Sequence, residues 1–381
     1  MTGSRAAAVL VVAAQSARYL AESAAQGGWD VIALDLFGDA DTRRVARRWA
    51  AIGDAGTLSI AAERLRNELL AARADGAEGW IAGSGLEARL DLLTAHGSLP
   101  LLGMDGAEVA PVRTPALFFA TLARLGLPHP ATLAAPPASP AGWLAKRAGG
   151  TGGWHIRDAT LAAGGAAPDV YFQRVQPGVP MSALFVADGR RCVLIALNRL
   201  LVGAPGCRYA YRGAIGPIER PALRERVVHA LQALVPAFGL RGLASLDFIA
   251  DGDTPVLLEV NPRPSASMAL HARVWPGGLL RAHVRAIAGE LPHEPPRHAS
   301  GTRGSEIVFA ARTCRIDAAL AAALGRSPDC HDLPAADSRF GRGAPICTVS
   351  AVADGPAAVE QLLAERRAAI ESRMIALAST T

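Results

Sequence analysis

Lysine is nearly absent from this chain: of 39 lysines and arginines, only Lys146 is a lysine. The bias fits a GC-rich coding preference that supplies arginine wherever charge alone is needed and leaves lysine where a compact ammonium matters. Aromatic residues are also scarce, at 5%. With arginines scattered along the chain, that scarcity argues against a nucleic-acid partner. The five cysteines, Cys192, Cys207, Cys314, Cys330 and Cys347, form an odd set without a CxxC pair. They suggest neither a zinc knuckle nor a disulfide framework and fit reduced thiols in a cytoplasm. No apolar run is long enough to span a bilayer, so no membrane partner is expected. The run from Ala6 to Ala14 lacks a strongly basic leader, gives way to Gln15, Ser16 and Arg18, and reads as a first strand.

What is present in quantity is apolar. A chain of 381 residues, 50% of them hydrophobic, can bury a large core, and its length suggests two or three domains. The formal charge of +5 and pI near 9.2 suit an anionic small-molecule substrate. Arg43, Arg44, Arg47 and Arg48 read as one solvated helix face.

From Ala7 to Gly103, apolar runs alternate with amphipathic stretches: Val9–Ala13, a helix around Arg18–Gln26, Val31–Leu36, a helix through Thr42–Ala51, then Gly79–Ala82. That alternation predicts a Rossmann-like parallel α/β domain over residues 1–105, closed by an edge strand at Leu101–Gly103. Ala14-Gln15-Ser16 and Gly83-Ser84-Gly85-Leu86-Glu87 follow strands there, where open α/β sheets meet ligands. A helix over Thr114–Gly126 and a Pro-Ala loop at Ala134–Ala141 come next. Short β-prone segments then dominate: Trp143–Lys146, Val170–Val175, Ser182–Ala187, Cys192–Asn198, Gly242–Ile249 and Val256–Val260. Helical spacing recurs at Leu223–Phe238 and Gly278–Ala288. A Pro-rich boundary at Leu291–Pro296 precedes strands near Ile307–Ala311 and Ile346–Ala351 and a final helix from Pro356 to about Leu377.

Two constellations carry chemistry. Lys146 stands just before Gly149-Gly150-Thr151-Gly152-Gly153, a flexible loop able to bring backbone amides against a phosphate. Downstream, Asp247 and the run Glu259-Val260-Asn261-Pro262-Arg263 lie on either side of an Asp-Gly turn. Two antiparallel strands so spaced set Asp247, Glu259 and Asn261 side by side, because residues two apart share a face. Three hard oxygen ligands suit Mg²⁺, which takes one or two carboxylates and leaves its other positions to water and phosphates. Acidic residues also flank hairpins for structural reasons, and Asn-Pro commonly starts a turn.

Together these residues, with Gln173-Arg174-Val175-Gln176-Pro177-Gly178 and Ser182, resemble the ATP-grasp superfamily. The Gly83–Glu87 and Val112–Pro115 segments, Asn198, Tyr211-Arg212-Gly213 and Gly216-Pro217 further resemble a subgroup of predicted carboligases distantly similar to biotin carboxylase. The resemblance implies an ATP-grasp domain over 106–295, with a nucleotide lid at about 130–175 and a metal-binding subdomain at about 176–295, both α+β. A small β-rich segment with a terminal helix at 296–381 completes the expected chain. It implies Lys146 and the loop Gly149–Gly153 on the ATP phosphates, and Gln173, Arg174, Val175 and Gln176 as an adenine- and ribose-reading hinge. Asp247, Glu259 and Asn261 would hold Mg²⁺, or Mn²⁺, and Arg263 would clamp the transferred phosphoryl group. Ser84, Glu87, Ser182, Asn198, Arg212 and Ser267 are substrate candidates. Many members carry another lysine before the first ATP-grasp helix; here Arg113 is the nearest basic residue.

The implied reaction joins a small-molecule carboxylate to an amine through an acyl phosphate, with no protein nucleophile. A possible homodimer and a role in methanopterin- or methanofuran-type one-carbon cofactor assembly belong to the same expectation. A carboxylase-like or kinase-like ATP-grasp enzyme and a non-catalytic nucleotide-binding protein are the alternatives. His155, Ser265 and Ser267 are open between substrate contact and ordinary loop or capping roles.

Overall fold

The N-terminal layer is a parallel sheet in the order Arg48–Ala51, Asp30–Asp35, Val9–Ala13, Ala77–Ala82. The computed structural model describes residues 7–96, 99–161 and 169–378. Along Val9–Ala13 successive side chains enter different cores: Val9, Val11 and Ala13 join one apolar cluster, Leu10 and Val12 another. A strand covered on both faces has to read as a continuous apolar run, which is why Val-Leu-Val-Val-Ala contains no polar residue.

The helix expected over Thr42–Ala51 is corrected here. Helix covers only Ala40–Val45, and Arg48–Ala51 is a strand paired in parallel with Ile32–Asp35. Sheet pairing and the stacking of Arg43 over the Trp49 ring outweigh the helical propensity of the Arg-Ala run. The edge strand expected at Leu101–Gly103 reduces to a single bridge between Trp80 and Leu101. Helices over Ala62–Ala74 and Gly106–Arg113 and a strand over Cys207–Gly216 add to the elements that the sequence pattern predicts.

Beyond the helix Pro115–Arg124, a small antiparallel sheet orders Thr132–Leu133, Val170–Arg174, Trp143–Arg147 and Arg157–Asp158. The largest sheet has eight strands in the order Thr254–Asn261, Arg241–Asp251, Val179–Asp188, Cys192–Ala204, Cys207–Gly216, Thr302–Phe309, Pro345–Ala353, Cys330–His331. Residues 296–381 are therefore not a detached segment: Gly213 pairs with Glu306, and the C-terminal strands prolong the central sheet. They also keep an apolar cluster of their own, with Val349, Val359 and Leu363.

Helix Pro221–Phe238 seats Val227, Leu231 and Leu234 in the cluster that contains Phe248 and Leu257. Each of those two buried side chains contributes about 2 kcal/mol of apolar burial. Helix Gly278–Ile287 covers the other face. Its His283 accepts from the Leu243 amide at Nδ1 (2.8 Å) and, through Nε2, donates to the Leu102 carbonyl (2.8 Å). These partners require the neutral Nε2–H tautomer, and burial holds His283 down at about 4. The ring thus ties the exit of the parallel layer to the central sheet. Among the described residues, no helix is long and apolar enough to cross a membrane.

Candidate active site

A cleft of about 1960 Å³ runs between the small sheet, the central sheet and the C-terminal ends of the parallel strands. A pocket for one drug-sized ligand spans roughly 300–1,000 Å³, so this cleft has room for more than one reactant. Lys146, Gln173, the glycines from Gly149 to Gly153, Asp247, Glu259, Asn261 and Arg263 line it.

The phosphate-binding end is built from strand register. Tyr171 lies opposite Lys146 and Gln173 opposite Leu144, which sets Gln173 diagonally across from Lys146. Lys146 is buried, at 4% exposure, and its Nζ donates to Gln173 Oε1 at 3.1 Å. Gln173 Nε2 is buried without a partner, a donor held toward an acceptor that a nucleotide would supply. The loop beyond lies down over this pair. Gly152 accepts from the Tyr211 amide at 2.8 Å, and a Cβ on Gly153 would come 2.0 Å from the Tyr209 carbonyl. At Gly150 a Cβ would meet the His155 ring at 2.0 Å, so glycine is required at both positions. Burial, with Lys146 and Arg113 nearby, holds His155 down at about 4 and keeps it neutral near pH 7.

At the hinge, Gln173, Arg174, Val175 and Gln176 all line the cleft, and the Arg174 and Val175 amides donate to the Ala131 and Gly142 carbonyls (2.9 Å each). Arg174 lies over Trp143, and Gln176 Nε2 reaches Asp251 Oδ2 at 3.4 Å.

Across the cleft, Asp247 pairs directly with Glu259 and Ser245 with Asn261, and a bulge follows Asp247. Asn261 Nδ2 donates to Asp247 Oδ2 at 3.1 Å. Burial and the adjacent Glu259 push Asp247 up to about 7. The two half-buried carboxylates face each other, and a donor set of two carboxylates and one carboxamide is what Mg²⁺ accepts. The residues fit that ion. Among the described residues, no group of three or more His, Cys, Asp or Glu side chains is placed to hold a metal ion.

Arg263 and Glu87 meet from sequence positions far apart. Arg263 Nε donates to Glu87 Oε1 at 2.8 Å, and its Nη2 also reaches Asn261 Oδ1 at 3.4 Å. Burial works against the Glu87 charge, but Arg263 and Arg113 more than offset it and leave Glu87 below its ordinary value. Glu87, expected as a substrate contact, is instead a buried counter-ion that orients Arg263. Asn198 is corrected as well: it is fully buried, accepts from His271 at 2.8 Å and does not line the cleft. Ser84, Ser182, Arg212 and Ser267 do line it. Arg212 also pairs with Glu306 at 3.4 Å, and Ser267 exchanges a 3.0 Å hydrogen bond with Ser265. Arg113, beneath the loop, donates to the Gly150 carbonyl at 2.8 Å and lies 3.6 Å from Glu259.

The other end of the cleft is acidic and joins the two ends of the chain. Arg18 Nε bonds Asp332 at 2.7 Å and Nη1 bonds Glu22 at 3.0 Å, while Asp41 accepts from the Asp332 and Leu333 amides. Asp35 is satisfied by three backbone amides and Trp49 Nε1. Asp39, half-buried on the cleft wall, has neither a hydrogen bond nor an ion pair from its carboxylate among the described residues. Burial, then Asp332, Asp35 and Asp41, push it up to about 9. The sequence pattern singles out Ala14-Gln15-Ser16 here, and Ser16 Oγ donates to Asp332 at 3.3 Å, but it points to none of the carboxylates. Asp39 follows the strand Asp30–Asp35, and the rule that ligands meet strand C-termini would have reached it.

The cleft thus lies between two antiparallel sheets, with Lys146 and the glycine loop facing the Asp247–Glu259–Asn261 hairpin. Residues 116–267 match the family described as ATP-grasp domain. No curated protein matches the sequence. Among solved structures, the biotin carboxylase domain of Hydrogenobacter thermophilus 2-oxoglutarate carboxylase superposes with TM-score 0.70 at 14% identity, covering 92% of this chain and 87% of that one. It was solved as a dimer with MgADP, ADP and bicarbonate. The biotin carboxylase of Campylobacter jejuni gives 0.68 at 13% identity, covering 92% and 88%. N5-carboxyaminoimidazole ribonucleotide synthetase of Thermus thermophilus gives 0.67 at 16%, covering 96% and 98%.

Proposed function

We propose that this chain is an ATP- and Mg²⁺-dependent ligase that activates a small-molecule carboxylate and joins it to an amine. The observation that carries the reading is the opposition of Lys146 under its glycine lid to the Asp247–Glu259–Asn261 hairpin with Arg263. Bound MgATP would supply the phosphoryl group that converts the carboxylate to an acyl phosphate, and the ion would offset phosphate charge. Asp247, Glu259 and Asn261 would hold the ion. Lys146 would sit on the phosphates as a compact charge, and the loop would exclude water. Arg263, already oriented by Glu87, would face the oxyanion where charge grows during transfer and amine attack. The attacking amine loses a proton as the C–N bond forms and phosphate leaves.

The acidic end supports an amine as acceptor, because a half-buried carboxylate without a partner favours a cationic group beside it. A second reading has a specific support too: a solved relative holds bicarbonate, and bicarbonate is itself a carboxylate that the same machinery could phosphorylate. A place in one-carbon cofactor assembly rests on the subgroup resemblance alone. The test is phosphate release from ATP and Mg²⁺, screened over amino acids, small amines and carboxylates, with and without bicarbonate. Release that requires a carboxylate–amine pair supports the ligase. Release with bicarbonate alone favours the second reading, and release with no pair at all removes both.

A further inference from the structure

Arg113 stands where the family resemblance leads one to expect a second lysine, and its planar side chain meets two partners at once. It ends the helix Gly106–Arg113 and is 8% exposed. One guanidinium nitrogen donates to the Gly150 carbonyl at 2.8 Å, and another lies 3.6 Å from Glu259. Its Nε is buried without a partner. Two different partners, one on the glycine loop and one on the metal hairpin, are therefore spanned by one planar group. An ammonium would have to meet both from one nitrogen at the end of a shorter side chain, and would hold the pair less well.

We propose that Arg113 is a positioning residue that latches the glycine loop to the carboxylate hairpin and thereby regulates access to the nucleotide end. The latch grips the loop by an acceptor, the Gly150 carbonyl. The loop's N–H donors are not spent on it and can still turn to phosphate. Its other contact is with a carboxylate that the incoming cation also needs. Cation binding at Glu259 and the Arg113–Glu259 contact weaken each other, so the cation favours release of the latch. This inference deepens the ligase reading only in its kinetic arm; the latch itself is a property of the free chain.

The experiment is amide hydrogen exchange of the full chain without nucleotide, read on the peptide covering Gly149–Trp154, for the parent, Arg113→Ala and Arg113→Lys. Loss of a charge-assisted contact predicts loop exchange at least about tenfold faster in Arg113→Ala, with a peptide covering Val227–Leu234 unchanged. Arg113→Lys should remain clearly faster than the parent, because a shorter side chain ending in one nitrogen cannot span the two partners as the planar fork does. Unchanged loop exchange in Arg113→Ala overturns the latch, and so does parental exchange in Arg113→Lys. Should Arg113→Ala fail to fold, the lysine variant alone decides. In turnover, Arg113→Lys should raise KM for ATP more than it lowers kcat. A change confined to kcat, with parental loop exchange, would place the residue in chemistry rather than in loop control. If no turnover is found under any condition, the ligase reading fails while the exchange result still judges the latch.

Discussion

The two ends of the cleft are built on opposite principles. At the phosphate end, cations lead: Lys146, Arg113 and Arg263 surround Asp247 and Glu259, and each is fixed by a neighbouring strand or loop. At the far end carboxylates lead, with Glu22, Asp35, Asp39, Asp41 and Asp332 against Arg18 and Arg43, and Arg18–Asp332 joins residues 314 apart in sequence. On the proposed reading, the first end suits a polyanion and the second a cation. A single cleft can thus hold reactants of unlike charge in order, with Arg263 and Glu87 at the join.

The sharpest way to break this contrast is at the hairpin. Glu259→Gln keeps the shape and removes one charge from the cation site; phosphate release should fall about 10²–10³-fold, measured at saturating ATP and Mg²⁺. Turnover within threefold of the parent would end the metal assignment. At the join, Glu87→Gln leaves Arg263 buried without its counter-ion. Unfolding in urea should show a loss of about 3 kcal/mol, whereas a substrate-contact role would move KM and leave stability alone.

The frame that holds both ends should respond to pH. His283 is held at about 4 in the folded chain against about 6.5 unfolded. Its contribution is complete above the unfolded value. It is lost as pH falls from about 6.5 towards 4, because only the unfolded chain takes up the proton there. The loss should reach up to about 3 kcal/mol, visible as a falling urea midpoint; a flat profile over that window would refute the buried neutral tautomer. Lys146→Arg tests the value of a compact charge and should cost about tenfold in kcat/KM for ATP, since the fork cannot take the place of the ammonium beside Gln173. The smallest effect belongs to the acidic end: Asp39→Asn should raise KM for the amine about threefold and leave KM for ATP untouched. Equal changes in both constants would show that the two ends are not separate.

Legibility in the sequence followed the same division. The hairpin was readable because Glu259 and Asn261 are two residues apart on one strand and an Asp-Gly turn brings Asp247 alongside; local geometry sufficed. Lys146 stood out because every other Lys or Arg position is arginine. At the acidic end only Ala14-Gln15-Ser16 was readable, since Arg18, Asp41 and Asp332 acquire meaning only when the C-terminal strands join the central sheet and return to the first helix. Glu87 was noticed for the right segment and given the wrong role, because burial against Arg263 is a tertiary fact. The strand Arg48–Ala51 was misread for a similar reason: its alanines carry helical propensity, and only the partner strand at Ile32–Asp35 overrides it.

The central claim is that a carboxylate is activated by phosphoryl transfer in this cleft. The direct measurement uses the carboxylate found in the release screen, labelled with ¹⁸O in both oxygens, and mass spectrometry of the phosphate released with ATP, Mg²⁺ and the amine. Transfer of one ¹⁸O atom to each phosphate is predicted, because the oxygen that attacks ATP leaves with the phosphoryl group when the amide forms. Phosphate free of label would contradict the account.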